Sequence, residues 1–341
     1  MQLIMKTTKI VIFGATGSVG AYTTIYLAKL GYEVIAVGHR KSDNGFFADY
    51  GIPYYSVDII DSQNFSVLPE KDVDTVIHFA GAMPAHMCNY NPYRYVDSII
   101  TGTLNVLNYM QKCGADKIIF SQSISDILYK FGSTTPISPY TDKHFPLTGD
   151  HSIYSICKNA AVDIIEHYSA QYGIKRYILR LPTIYLYHPN PYYYVNGSLR
   201  WMGYRKLIDN AIKGIPIEIW GNPKNIKEMV YIKDFTQLVW RCVNSDSKGG
   251  IYNAGCGHCV TFEEQVDIIR NLFSCGKVSD IIYKPDQPSS PQFVLDIENA
   301  KTELGYDPVY DCKSLYADFK KEMDSEPFAK LWGRKEDYKL L

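Results

Sequence analysis

The sequence is short of the features that mark membrane, secreted or nucleic-acid-binding proteins. Its formal net charge is -1 over 341 residues, so no basic surface calls for DNA, RNA or an acidic bilayer. No apolar run is long enough to span a membrane, and Met1 to Lys9 is too short and polar for a secretory leader. The eight cysteines are scattered apart from one pair, which suits reduced thiols better than a disulfide framework. There is no internal repeat and no low-complexity tract. Hydrophobic residues make up 46% and charged residues 21%, enough to bury a large core in one domain or two. The expectation is a cytoplasmic enzyme with a loose start over Met1 to Thr8, where Met5 offers an alternative first residue.

One stretch organises the rest. Ile10 to Phe13 is an apolar run that ends on Gly14, Gly17 and Gly20. Tyr22 to Leu30 follows with helical spacing, closed by Gly31. That pattern reads strand, tight turn, helix, the arrangement that sets backbone amides and a positive helix end against a pyrophosphate. Further strands read at Glu33–Gly38, at Tyr54–Val57 before Asp58 and Ile59, at Val73–Ala82, and at Ile118–Ser123. A helical pattern covers Tyr95–Gln111. Alternating strands and helices imply a parallel sheet with ligands beyond its carboxyl ends. His78 lies inside an apolar run and reads as a packed core residue. Where NAD enzymes place a carboxylate on the adenosine ribose, this chain has Gly38 followed by His39, Arg40 and Lys41. That substitution favours NADP over NAD.

Tyr154 and Lys158 lie one turn apart on a helical segment that runs to about Tyr172. An ammonium near a phenol favours the phenolate, and Ser123 at a strand end can bond the same substrate oxygen. A second Tyr-x-x-x-Lys, Tyr316 to Lys320, reads as a chance match on a surface helix, since the chain holds 29 tyrosines.

The glycine turn, the Ser123 strand and the Tyr154/Lys158 pair resemble the extended short-chain dehydrogenase/reductase superfamily, in its NAD(P)-dependent epimerase/dehydratase branch. The resemblance runs through Gly102-Thr103, Leu179 to Thr183, Met229 to Asp234 and Tyr252 to Gly255. It implies an α/β fold, a Rossmann doubly wound parallel sheet over 7–180 with a smaller α/β substrate-binding domain mainly over 181–330. Some segments of the latter return to the first domain, and 331–341 form a tail. It implies cofactor contacts from Gly14, Thr16, Gly17, Ser18, Val19, Gly20, His39, Arg40, Asp58, Ile59, Phe79, Ala80, Gly81, Ser121, Tyr154, Lys158 and Pro182. Catalysis falls to Ser123, Tyr154 and Lys158, and substrate contacts to Met83, Ser123, Thr183 and Lys227. It implies a homodimer, a nucleotide-sugar substrate and no metal.

Three departures narrow the reading. Ile99 stands where the family has an asparagine. Ile124 and Ser125 follow Ser123, and Asp126 lacks a neighbouring Glu, so the acidic pair of dehydratases is missing. Lys227 and Lys284 stand where the family has arginines, keeping charge but losing the bidentate fork. A nucleotide-sugar 4-epimerase is the leading expectation. An NADPH-dependent keto-sugar or ketone reductase is the alternative, and a non-catalytic dinucleotide-gated sensor is the alternative of another class.

Elsewhere, Tyr185 to Tyr194 is a Pro-interrupted aromatic loop suited to stacking on substrate, to a dimer contact or to packing. Leu199 to Lys213 reads as a helix whose Arg200, Arg205 and Lys206 face phosphates or solvent. Cys256-Gly257-His258-Cys259 has redox or metal spacing, but without a fourth ligand or a thioredoxin-like context it reads as a coincidental loop. Thr261 and Glu264 make a capping box. Lys284 to Pro291 reads as a loop and Asp296 to Leu304 as a short helix. Glu326 to Leu341 is a charged tail with no assigned place.

Overall fold

In the computed structural model, which describes residues 8–338, Ile10 to Phe13 have no exposed surface and yet serve two different cores. Ile10 and Ile12 of β1 (Lys9–Phe13) join one cluster, Val11 and Phe13 the other. A strand's period of two divides its side chains between opposite faces, and a parallel strand is covered on both. After α1 (Ser18–Lys29), β2 (Glu33–Gly38) divides in the same way. Next come β3 (Tyr54–Ser56), β4 (Thr75–His78), α2 (Pro92–Tyr95) and α3 (Gly102–Cys113). Then follow β5 (Lys117–Ser123), α4 (Asp150–Tyr172) and β6 (Lys175–Leu181). α3 and α4 bury their apolar faces in the cluster of Val11 and Phe13, whereas α1 covers the other side.

The second half begins with β7 (Ile184–Tyr185), the hairpin of β8 (Tyr192–Val195) and β9 (Ser198–Trp201), and α5 (Gly203–Lys213). β10 (Ile217–Trp220), β11 (Ile226–Lys227) and β12 (Val230–Tyr231) lead to α6 (Ile232–Asn244), which packs beside α1. β13 (Gly249–Asn253) returns to the main sheet beside β6. The rest is β14 (Val260–Thr261), α7 (Phe262–Phe273), β15 (Ile281–Lys284), α8 (Glu298–Leu304), α9 (Cys312–Ser325) and α10 (Ala329–Trp332). The main sheet has seven parallel strands in the order β13-β6-β5-β4-β1-β2-β3. Its direction of winding reverses between β1 and β4, so the crevice for a ligand opens at their carboxyl ends. No helix among the described residues is long and apolar enough to cross a membrane.

The structure corrects several expectations. The helix over Tyr95–Gln111 is interrupted by a π-turn at Val96–Thr101. Leu199 to Trp201 form a strand rather than the start of α5, because Tyr192 and Trp201 pack edge to face across the hairpin. Tyr316 is no surface residue: it is fully buried and accepts a hydrogen bond from Gln265. Residues 1–7 of the loose start and the final three residues of the tail lie outside the described residues.

One buried ion pair ties the loop after β5 to the end of β6. Arg180 reaches Asp126 at 3.1 Å, with both side chains 5% exposed or less. The same guanidinium donates to the Pro139 carbonyl and to Asn253 at the end of β13. Removing one partner strands a charge in the interior, which is costly. Asp126→Ala should therefore lose about 3–5 kcal/mol of stability in urea unfolding. Asp126→Leu combined with Arg180→Leu should lose less than that single change.

Candidate active site

The glycine turn is built so that no side chain intervenes. Gly14 has φ of +87°, and a Cβ there would stand 2.8 Å from the Ala80 nitrogen. A Cβ at Gly20 would meet the Gly14 carbonyl oxygen at 2.1 Å. The first turn of α1 therefore sits tight against β1, and β1 against the end of β4. Gly17 is exposed and provides no side-chain cap for α1, which leaves the helix-end N–H groups of Ser18 and Val19 to a ligand. Ser18 and Val19 are half-buried at that end, and the backbone of Phe79 and Ala80, just past β4, closes on Gly14. The site fits the pyrophosphate of a dinucleotide on steric grounds.

At the end of β5 the structure brings Ser123, Tyr154, Lys158 and Ser121 together. Lys158 is buried; its Nζ donates to the Ser121 carbonyl at 2.6 Å and lies 4.5 Å from the centre of the Phe120 ring. Burial pushes its pKa down to about 7. Tyr154 is 7% exposed, and burial pushes its phenol up to about 12, opposed by its hydrogen bond with Ser123. Burial therefore favours the neutral phenol. His78 is a core residue, as read from its apolar run. It bonds Thr103 at 3.0 Å and is held neutral by burial first and by Lys158 second.

The end of β2 is closed in a way the sequence did not announce. A Cβ at Gly38 would stand 2.8 Å from Thr16 Oγ1 and 3.1 Å from the Tyr54 hydroxyl. Thr16 and Tyr54 thus fill the space that a ribose-binding carboxylate would need. His39 and Arg40 are exposed, but Arg40 Nη1 donates to the Leu331 carbonyl at 2.9 Å. In the next residue, Trp332 Nε1 donates to the Thr16 carbonyl at 3.0 Å. Its ring stacks on Phe328, which packs on Tyr22 of α1. The start of the unplaced tail is therefore a strap across the glycine turn. No local pattern marks this contact, because 316 residues separate its ends.

The other named residues are distributed as follows. Asp58 is exposed and Ile59 buried, with the Ile59 carbonyl accepting from Asn105. Met83 and Thr183 are exposed beyond β4 and β6, and Pro182 is buried. Ile99 is buried against Gly81 within the π-turn, with no polar atom to relay a proton. Asp126 is committed to Arg180. Lys227 stands apart from the Tyr154 group: it bonds Ser290 and covers the Phe262 ring, and burial pushes it down to about 8. Next to it, Glu218, Trp220, Phe262, Pro288 and Ser290 line a cleft of about 250 Å³. Tyr185, Leu186 and Tyr187 of the aromatic loop are buried against the carboxyl-terminal helices. Arg205 is buried with them, donating to the His188 carbonyl rather than facing phosphate.

The family model described as "NAD dependent epimerase/dehydratase family" matches residues 10–255. A putative UDP-glucose 4-epimerase of Methanocaldococcus jannaschii is 27% identical over 89% of this chain and 94% of its own length. UDP-glucuronate 4-epimerase 1 of Arabidopsis thaliana is 24% identical over 89% of this chain and 74% of its own. Among solved structures, UDP-glucose 4-epimerase of Thermotoga maritima with UDP-glucose superposes with a TM-score of 0.73. It is 21% identical and covers 93% of this chain and all of its own. UDP-glucuronic acid 4-epimerase of Bacillus cereus, in complex with UDP-glucuronic acid and NAD, has a TM-score of 0.69 at 19% identity. It covers 93% of this chain and all of its own.

The buried ammonium has a thermodynamic signature. Below pH 7 Lys158 is protonated folded and unfolded. From about 7 to the ordinary 10.5 only the unfolded chain holds that proton. The unfolded state then binds more protons, so this group makes stability rise with pH across the window. Lys158→Met should be more stable than the parent at pH 7 and should show a shallower rise from pH 7 to 9 in chemical denaturation.

Proposed function

The chain belongs to the NAD-dependent epimerase/dehydratase family, and on that premise we propose that it is an NAD-dependent nucleotide-sugar 4-epimerase. The observation that carries the reading is the meeting of Tyr154, Ser123 and Lys158 at the carboxyl end of β5, beside the crevice that the glycine turn opens. The names of its relatives, UDP-sugar 4-epimerases in several organisms, support the substrate class.

When bound, the dinucleotide supplies a hydride acceptor for the sugar carbon and, in its oxidised form, a positive charge. The remaining work falls to this chain. Tyr154 Oη takes the proton of the substrate's 4-hydroxyl and returns it after the ring has turned over. Ser123 bonds the same oxygen and holds it against the phenol. Lys158 favours the phenolate from one helical turn away and binds the nicotinamide ribose. Gly14, Thr16, Gly17, Ser18, Val19 and Gly20 cradle the pyrophosphate, with Asp58 and Ile59 at the adenine and Phe79, Ala80, Gly81 and Pro182 along the crevice. Lys227 binds the substrate diphosphate, with Met83 and Thr183 near the sugar. Loss of water is not part of this reading, since Asp126 is committed to Arg180.

The cofactor is read as NAD. The sequence leans to NADP through Gly38 and the His39, Arg40 and Lys41 that follow it; in the structure Arg40 Nη1 donates to the Leu331 carbonyl. NAD in the related Bacillus cereus structure supports the choice of NAD.

The test is turnover of UDP-glucose, UDP-N-acetylglucosamine and UDP-glucuronate with no nicotinamide added, together with mass spectrometry of the co-purified dinucleotide. The expected result is a C4 epimer of at least one sugar and bound NAD. Consumption of NADPH in proportion to product would instead make the enzyme a reductase. Tyr154→Phe should lower kcat by about 10²–10⁴-fold while the dinucleotide stays bound. Activity within a few fold of the parent would remove Tyr154 from the chemistry.

A further inference from the structure

Cys256-Gly257-His258-Cys259 lacked a fourth ligand in the sequence; in the structure a carboxylate from another segment joins its two cysteines. Glu228, two residues before β12, is buried with its carboxylate between the two cysteines. One ligand atom from each of Glu228, Cys256 and Cys259 lies within 4.8 Å of the others. Cys259 Sγ is 3.7 Å from Glu228 Oε2. Tetrahedral zinc with bonds of about 2.3 Å to sulfur and about 2.0–2.2 Å to oxygen sets an S···O edge near 3.5 Å. The observed separation needs only a small contraction.

The carboxylate is also held in place. Glu228 Oε1 accepts the Cys256 amide at 2.6 Å, and Oε2 accepts the Leu295 amide at 2.8 Å. Outer hydrogen bonds of this kind orient metal ligands. A cleft of about 200 Å³ opens beside the cluster, lined in part by Glu228, Gly257, Cys259 and Asp296. It gives an ion a route from solvent. Cys256 is 1% exposed, and its Sγ is turned to the His258 carbonyl.

We infer that Glu228, Cys256 and Cys259 form a binding site for a divalent thiolate-seeking metal of the zinc type. The ligands are Cys256 Sγ, Cys259 Sγ and Glu228 Oε2, with a fourth position open to water. Binding forms two metal–sulfur bonds and one metal–oxygen bond, and each thiol releases its proton to solvent. The ion fastens the end of β13 to the segment that carries Lys227. The inference stands on these three side chains and does not depend on the epimerase reading.

The test uses the full chain, reduced and stripped with chelator, titrated with Co²⁺ and then with Zn²⁺ in competition. Expected are thiolate-to-cobalt charge-transfer absorption, displacement by one equivalent of Zn²⁺, and a rise in Tm with Zn²⁺. Cys259→Ser, at an exposed position, should abolish the charge-transfer band and weaken Zn²⁺ by at least about 100-fold. Cys275→Ser, at another exposed cysteine, should change nothing. Circular dichroism of both variants checks that they fold. No charge-transfer band in the parent, or a band that survives Cys259→Ser, would overturn the site.

Discussion

An ammonium ion taken out of water governs the crevice. Lys158 is held by a carbonyl oxygen, a hydroxyl and an aromatic face, partners that satisfy its N–H groups without supplying a negative charge. Burial therefore weakens it as a cation, and the same burial weakens Tyr154 as an acid. Each group lacks what the other would provide. A phenolate at 154 would give the ammonium its anion, and the ammonium would give the phenolate its cation. In a dry site that mutual stabilisation is large, because little solvent screens it. Burial favours the less charged form of each group.

The second constraint is closeness of backbone to backbone. Gly14 and Gly20 let β1, α1 and the end of β4 meet without intervening side chains. The chain then returns at its far end to brace that junction. Trp332, Phe328 and Tyr22 form an aromatic column on α1, with Lys330 bound to Asp49 and the Gly45 carbonyl. Part of the unusual tyrosine content serves this half of the molecule. Tyr22, Tyr187, Tyr204, Tyr231 and Tyr316 are core residues, several with hydroxyls on carboxylates of α9 or the strap. Such residues combine a large apolar face with a polar tip that must find a partner.

The first half of the fold was legible because each strand there is a run of apolar residues bounded by turn signals, and the sheet alternation follows from period two. The strand-turn-helix at Gly14 to Gly20 and the placement of Tyr154 and Lys158 one turn apart on α4 were legible for a similar reason, since each is a local pattern. Distant contacts were not. Thr16 of the glycine turn and Tyr54 of β3 crowd Gly38, and Arg40 donates to the Leu331 carbonyl across 291 residues, contacts that no local pattern marks. Tyr316 misled in the opposite direction, because a lone tyrosine in a charged helix carries no mark of the pocket it fills. Glu228 escaped notice because its partners lie nearly thirty residues further on.

The central claim is that the sugar carbon gives up its hydrogen as hydride within the crevice and receives the same hydrogen back on the other face. The most direct measurement is to supply the nucleotide sugar labelled with deuterium at C4, in ordinary water, and to follow the label by NMR and mass spectrometry. The account requires that the epimer keep the deuterium at C4 with no wash-out to solvent. Replacement of that deuterium by solvent hydrogen, or its recovery in a released nicotinamide, would contradict it.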